Sequence, residues 1–246
     1  MALKAAPDAQ AHLLELQAID TRLQQLDHRA KMLPEVAVLA GLSSEADALR
    51  VEMLGATGAV EDARLELSRV EADVAVVEAR IKRDTDRLQA SSSLKDVAGL
   101  ESELAGLRKR QLDLEEIELT VMERLDVLEA AGAALQGRYD ELQARIAEVT
   151  AERDAALGTL TGERAHAVAN RTTIASKLPE DLLALYERQR QRYGTGASLL
   201  RGGVSSASGV KLNADDMAQI RAAAPDDVLL CPDSSAILVR TAESGL

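Results

Sequence analysis

The residues able to do chemistry are few. One thiol, Cys231, and three imidazoles, His12, His28 and His166, occur among 246 residues. A single cysteine excludes an internal disulfide and any all-cysteine metal site within one chain. The histidines lie far apart, without the close spacing of a His motif. No Ser, His, Asp arrangement, phosphate loop or His-Glu-x-x-His sequence is present, so the chain reads as non-enzymatic. Cys231 is a candidate redox or nucleophilic thiol, but it has no neighbouring His, and Asp233 should raise its pKa. Arg188, Arg190 and Arg192, with Tyr186 and Tyr193 beside them, have the side-chain types that contact phosphate and stack on RNA bases. On a short exposed helix the same arginines also serve as a solvated face.

The elements that must position these groups are long helices. Only three residues are aromatic and none is Phe or Trp, while 46% of the chain is hydrophobic and 28% charged. That profile excludes an ordinary core built on large rings. The net charge of -12 and the absence of any long apolar run predict a cytoplasmic protein with no membrane segment, and disfavour RNA or DNA as a partner of the whole molecule. The stretch from Glu35 to Leu178 contains no proline. Alternating steps of three and four residues from Leu39 to Leu88 meet 14 apolar residues in 15 positions, where about 7 follow from composition. The same steps from Val97 to Leu160 meet 15 in 19, with Arg153 among the exceptions.

Between the two seams stands Ser91-Ser92-Ser93, a tip with cap-forming residues. The matched arms on either side predict an intramolecular antiparallel hairpin over residues 1–178. Its rival, a parallel dimer of continuous helices, has no use for equal arms. An earlier seam, Leu16, Ile19, Leu23, Leu26, Ala30 and Leu33, does not join cleanly to Leu39, and Pro34 at the break predicts a kink. After residue 178, Leu178-Pro179-Glu180-Asp181 opens a short helix to Arg192. Gly- and Ser-rich residues through Ser208 read as a linker. Asn213 caps a helix around Met217–Ala223, and 228–230 and 237–239 read as strands, with Leu212, Met217, Ile220, Val228, Leu230, Ile237 and Val239 as a minimal core.

Leu212, the helix Met217-Ala218-Gln219-Ile220-Arg221-Ala222-Ala223 and the ending Ile237-Leu238-Val239-Arg240 resemble the carboxy-terminal zinc ribbon of a family of bacterial coiled-coil proteins. Leu178-Pro179 through Arg188 is similar to that family's lead-in. The resemblance implies a mainly α fold, a kinked antiparallel coiled-coil hairpin followed over 179–246 by a short helix, a linker and a small α+β zinc-ribbon-like head. It implies four thiols in two Cys-x-x-Cys pairs, at the positions of Ser205, Ser208, Cys231 and Ser234. Three of these are serine, a poor zinc ligand, so the head is degenerate and no zinc or other cofactor is expected. The family's hairpin end carries a Lys-Glu-Tyr-like motif, and Lys95-Asp96-Val97 keeps only the Lys, making Lys95 a further candidate contact. The resemblance also implies an adaptor for a protein partner in transcription or secretion machinery. The alternative is an RNA-binding module acting through the head and the Arg188–Arg192 helix.

Overall fold

The computed structural model describes residues 3–246; Met1 and Ala2, where the sequence reading starts the hairpin, lie outside the described residues. The chain forms α1 (Pro7–Lys31), α2 (Pro34–Ala90), α3 (Leu94–Ala175), α4 (Glu180–Tyr193), β1 (Ala197–Arg201), β2 (Val204–Ser205), α5 (Ala214–Ala222), β3 (Leu229–Leu230), β4 (Ile237–Val239) and a final 3₁₀ turn at Ala242–Ser244. No helix among the described residues is long and apolar enough to cross a membrane. Two compact units result: residues 35–151, and residues up to Pro34 together with Glu152–Leu246. The sequence reading instead divides the chain at 178/179.

In the unit 35–151, α2 folds back at Ser91–Ser93 along α3, making a long helical hairpin. Every position of the two predicted seams within it is buried or half-buried, and Ala46, Leu49, Ala63, Leu104, Leu114, Val121, Leu142 and Val149 are fully so. A hydrophobic seam repeating every seven residues buries one stripe of each helix and leaves the rest in water. Cross-arm ion pairs flank it, among them Arg64 with Glu129 at 2.5 Å, Arg80 with Glu103 and Arg124 with Glu66. Asp84, the acid on the α2 seam, is buried between Arg80 and Arg87 of its own helix. Beside Gly132, an open groove of about 380 Å³ is lined by Met53, Ala56, Val60 and the Arg64–Glu129 pair.

In the other unit, α1 lies against the end of α3, pinned by Arg22–Glu163 at 3.0 Å and Arg164–Asp27 at 2.9 Å. The helix stops at Lys31, where the Met32 N–H donates to the carbonyls of both His28 and Arg29, and it restarts with Pro34 as the first residue of α2. A groove of about 450 Å³ beside this break is lined by Met32, Leu33, Pro34, Ala156 and Leu160. Arg153 reaches water from its seam position. It is a third exposed and bonds its neighbour Asp154 at 2.8 Å, because the long aliphatic stem carries the guanidinium out to water.

The head corrects the sequence reading in two places. The Gly- and Ser-rich stretch after Gly196 is not a linker: β1 and β2 form there, and β1 is a central strand of a four-stranded sheet in the order β2-β1-β4-β3. It pairs parallel with β4 in the register Ala197–Ile237, Ser198–Leu238 and Leu199–Val239. Nor does the head stand on its own few apolar residues. Ile237 and Val239 point from one face of β4 into a core shared with Leu13 and Leu16 of α1 and Leu182 and Tyr186 of α4. Leu238 points from the other face to Leu200, Leu212, Met217, Ile220 and Cys231. Side chains alternate across a strand, so β4 is covered on both faces. Leu230, expected in the core, is 46% exposed. The N-terminal segment also joins the head, since Ala5 N–H donates to Asp226 O and Val228 N–H to Leu3 O. Arg240 closes α5 by donating to the carbonyls of Ala223, Ala224 and Asp227 at 2.6 to 3.0 Å.

Candidate functional site

The four positions singled out by resemblance sit on two turns with the same bonding. In one, the Ser205 N–H donates to Val210 O and the Gly209 N–H to Ser205 O; in the other, the Cys231 N–H donates to Ala236 O and the Ser235 N–H to Cys231 O. Gly209 and Ser235 both have positive φ, +66° and +56°, and Ser235 is the sole non-glycine to do so among the described residues. The hydroxyls of Ser208 and Ser234 each accept the N–H two residues on, from Val210 at 3.2 Å and Ala236 at 3.5 Å.

Three of the four side chains converge. Ser205 and Ser234 hydroxyls hydrogen-bond the Cys231 thiol, and Ser205 also meets Ser198 Oγ of β1 at 2.7 Å. Ser198 and Ser205 are fully buried, and Ser198 Oγ also accepts the Ala207 N–H. A hydroxyl network therefore occupies the space between the turns. Burial pushes the Cys231 thiol up, but bonds from the two hydroxyls and from the N–H groups of Ser234 and Asp233 outweigh it and leave the thiol below its ordinary range. The expected rise from Asp233 is corrected, because its backbone N–H, not its carboxylate, meets the sulfur. One thiol and three hydroxyls do not fit Zn²⁺, and no group of three or more His, Cys, Asp or Glu side chains among the described residues is placed to hold a metal.

The arginine cluster is split by the fold. Arg190 turns inward and bonds Glu187 at 2.9 Å and Asp20 at 3.4 Å, so it is not the solvated contact its spacing suggested. Asp20 is 2% exposed and accepts Arg171 at 2.6 Å and the Tyr186 hydroxyl at 2.7 Å. Arg171 also reaches Glu187 at 2.5 Å. Two carboxylates and two guanidiniums thus neutralise one another where α1, α3 and α4 meet. Burial raises the Glu187 carboxyl, but Arg171 and Arg190 pull it further down, below its usual value. Burial, and then donation to Asp20, holds the Tyr186 hydroxyl far above its own. Gln17 Oε1 accepts the Gly196 N–H at 2.7 Å. A Cβ at Gly196 would come within 2.5 Å of the Tyr186 ring, so this position requires glycine.

Arg188 and Arg192 remain outward, with Arg192 lying 5.3 Å from the Tyr193 ring centre, and Lys95 is exposed beside the tip. Sequence reasoning missed Gln17, Asp20, Arg171 and Ser198. For Asp20 a signal existed, because it stands one helical turn after Leu16 on the inward face, where an acid needs a buried partner.

A long helical hairpin bearing a small sheet defines a recognisable class. Residues 16–194 match the model of the CT398-like coiled coil hairpin domain, and the chain belongs to that family. It is 34% identical to the uncharacterized protein Rv2229c of Mycobacterium tuberculosis, over 97% of this chain and 98% of that one. A solved structure from Mycobacterium smegmatis shares 34% identity, covers 97% of this chain and 100% of its own, and has a TM-score of 0.87. CT398 from Chlamydia trachomatis has the same fold at 16% identity, with a TM-score of 0.65 and coverage of 95% and 98%.

Proposed function

We propose that the chain is a non-enzymatic, cytoplasmic adaptor or scaffold whose degenerate zinc-ribbon-like head engages a protein partner, of the transcription- or secretion-machinery class that the family resemblance implies. The observation that carries this reading is the buried Asp20 network, which fixes α4 to α1 and α3, while Gln17 and the core around Leu13 and Leu16 fix the sheet to α1, leaving Arg188 and Arg192 in water. A rigidly mounted head with an outward charged edge suits presentation to another macromolecule. Affinity capture from a bacterial lysate with the intact chain, beside Arg188→Glu/Arg192→Glu, tests it. A retained protein that tolerates salt supports the adaptor. The second reading, RNA binding, is favoured by Arg192 stacked on Tyr193, and it predicts retained RNA that is lost steeply as salt rises. Retention of neither overturns both.

The paired turns support descent of the head from a metal-binding form, with the hydroxyl network in place of the ion. Elemental analysis of protein purified without chelator is expected to find no stoichiometric zinc, whereas Ser205→Cys/Ser208→Cys/Ser234→Cys should take up one per chain. Tight zinc in the parent chain, or none in the triple variant, contradicts that reading.

A further inference from the structure

Charge in the unit 35–151 is segregated. From Arg80 to Arg110 there are eight Lys and Arg against five Asp and Glu, while the rest of the unit has six against twenty. The 3.3 Å bond from Gln111 Nε2 to Glu78 sets the register, bringing Lys82 about level with Arg108. Lys82, Arg108, Lys109 and Arg110 are exposed, and none is ion-paired with another described residue. The coiled-coil seam accounts neither for these cations nor for an apolar row beside them. Along one side of α3, outside the seam, Arg108 is succeeded by Leu112, Leu119 and Met122, which are 65%, 62% and 44% exposed. Spacings of four, seven and three keep these residues on one ridge. At 1.5 Å per residue the ridge runs about 21 Å, or four helical turns. Glu115 lies on it, half-buried toward the seam.

We propose that this ridge docks an amphipathic helix of a partner protein, acidic where it meets Arg108, Lys109 and Lys82 and aliphatic along Leu112, Leu119 and Met122. The inference rests on the adaptor reading and names the chemistry of the partner. Exposed aliphatic side chains repeating on a helical spacing match the anchors of a helix laid alongside. A phosphate backbone offers such side chains nothing, and a long polyanion that fits the basic segment would meet the acidic remainder of the unit. A short acidic helix satisfies the charge and the apolar surface together.

The test is fluorescence anisotropy with the full chain and three labelled probes. These are a synthetic four-turn helical peptide with a Glu-rich end and a Leu face, its analogue with the Leu residues changed to Gln, and a poly(U) oligonucleotide. The first peptide should bind and the other two should bind at least about tenfold more weakly. Arg108→Glu/Lys109→Glu and Leu112→Ser/Leu119→Ser should each weaken the first peptide about tenfold with helical circular dichroism unchanged, whereas Arg69→Glu should not. Absence of binding, equal affinity in the ridge variants, or poly(U) binding that the charge reversal abolishes would overturn the proposal. Protein capture by the intact chain that survives Leu112→Ser/Leu119→Ser would leave the adaptor standing and remove this surface from it.

Discussion

At the residue scale, Asp20 controls the attachment of the head. Its carboxylate satisfies Arg171, Arg190 and the Tyr186 hydroxyl together in a place closed to water. Removing one partner of a buried charge network strands the others, which costs about 3–5 kcal/mol. Asp20→Ala is therefore expected to lower the melting temperature of the head and to free the Tyr186 hydroxyl, which is read by thermal melts and by the tyrosine near-ultraviolet signal. An unchanged melt would show that the network carries no stability. The four positions given by resemblance needed no fold to find. Ser198 and Arg171 did, because a serine in a Gly- and Ser-rich stretch and an arginine late in a helix look like solvated residues until a distant carboxylate or turn is brought to them.

At the scale of elements, the seam was the most legible feature. A seven-residue apolar repeat must bury its stripe against another helix, and Leu39 to Leu88 and Val97 to Val149 are buried or half-buried wherever it lands. The tip was legible for a similar reason, since both seams stop at the serines. Strand β1 was not, because Ala197 and Ser198 carry little strand preference and the parallel pairing with β4 joins residues 40 positions apart. The seam also has a weak place. Gly132 lies in the middle of a helix beside the open groove of about 380 Å³, with nothing within 4 Å of an added Cβ. Gly132→Ala should stabilise the hairpin by about 1 kcal/mol, because alanine restricts the unfolded chain and meets no neighbour. Chemical denaturation followed by circular dichroism measures it, and a loss of stability would show that the seam tightens around the glycine.

At the scale of the whole molecule, the division into units falls at 34/35 and 151/152, where the sequence already shows Pro34 and a charge on the seam at Arg153. Two residues between α1 and α2 are not helical, Pro34 donates no backbone hydrogen bond, and a groove of about 450 Å³ lies beside the break. Residues 30–40 and 148–158 should therefore exchange amide hydrogens faster than Val70–Ile81, where the seam is unbroken. Equal protection along both stretches would mean that the break is as rigid as the seam.

The joining of the first residues to the last has a consequence during synthesis. Leu13 and Leu16 lie in one core with Ile237 and Val239, and Leu3 to Ala5 pair with Asp226 to Val228. A ribosome adding ~5–20 residues per second finishes β4 about 10–40 s after α1, so for that time Leu13 and Leu16 lack the Ile237 and Val239 part of their cover, and α3 and α4 supply the rest only as they are made. A product terminated between α4 and β4 keeps Leu182 and Tyr186 over α1 but leaves the β4 side of Leu13 and Leu16 open.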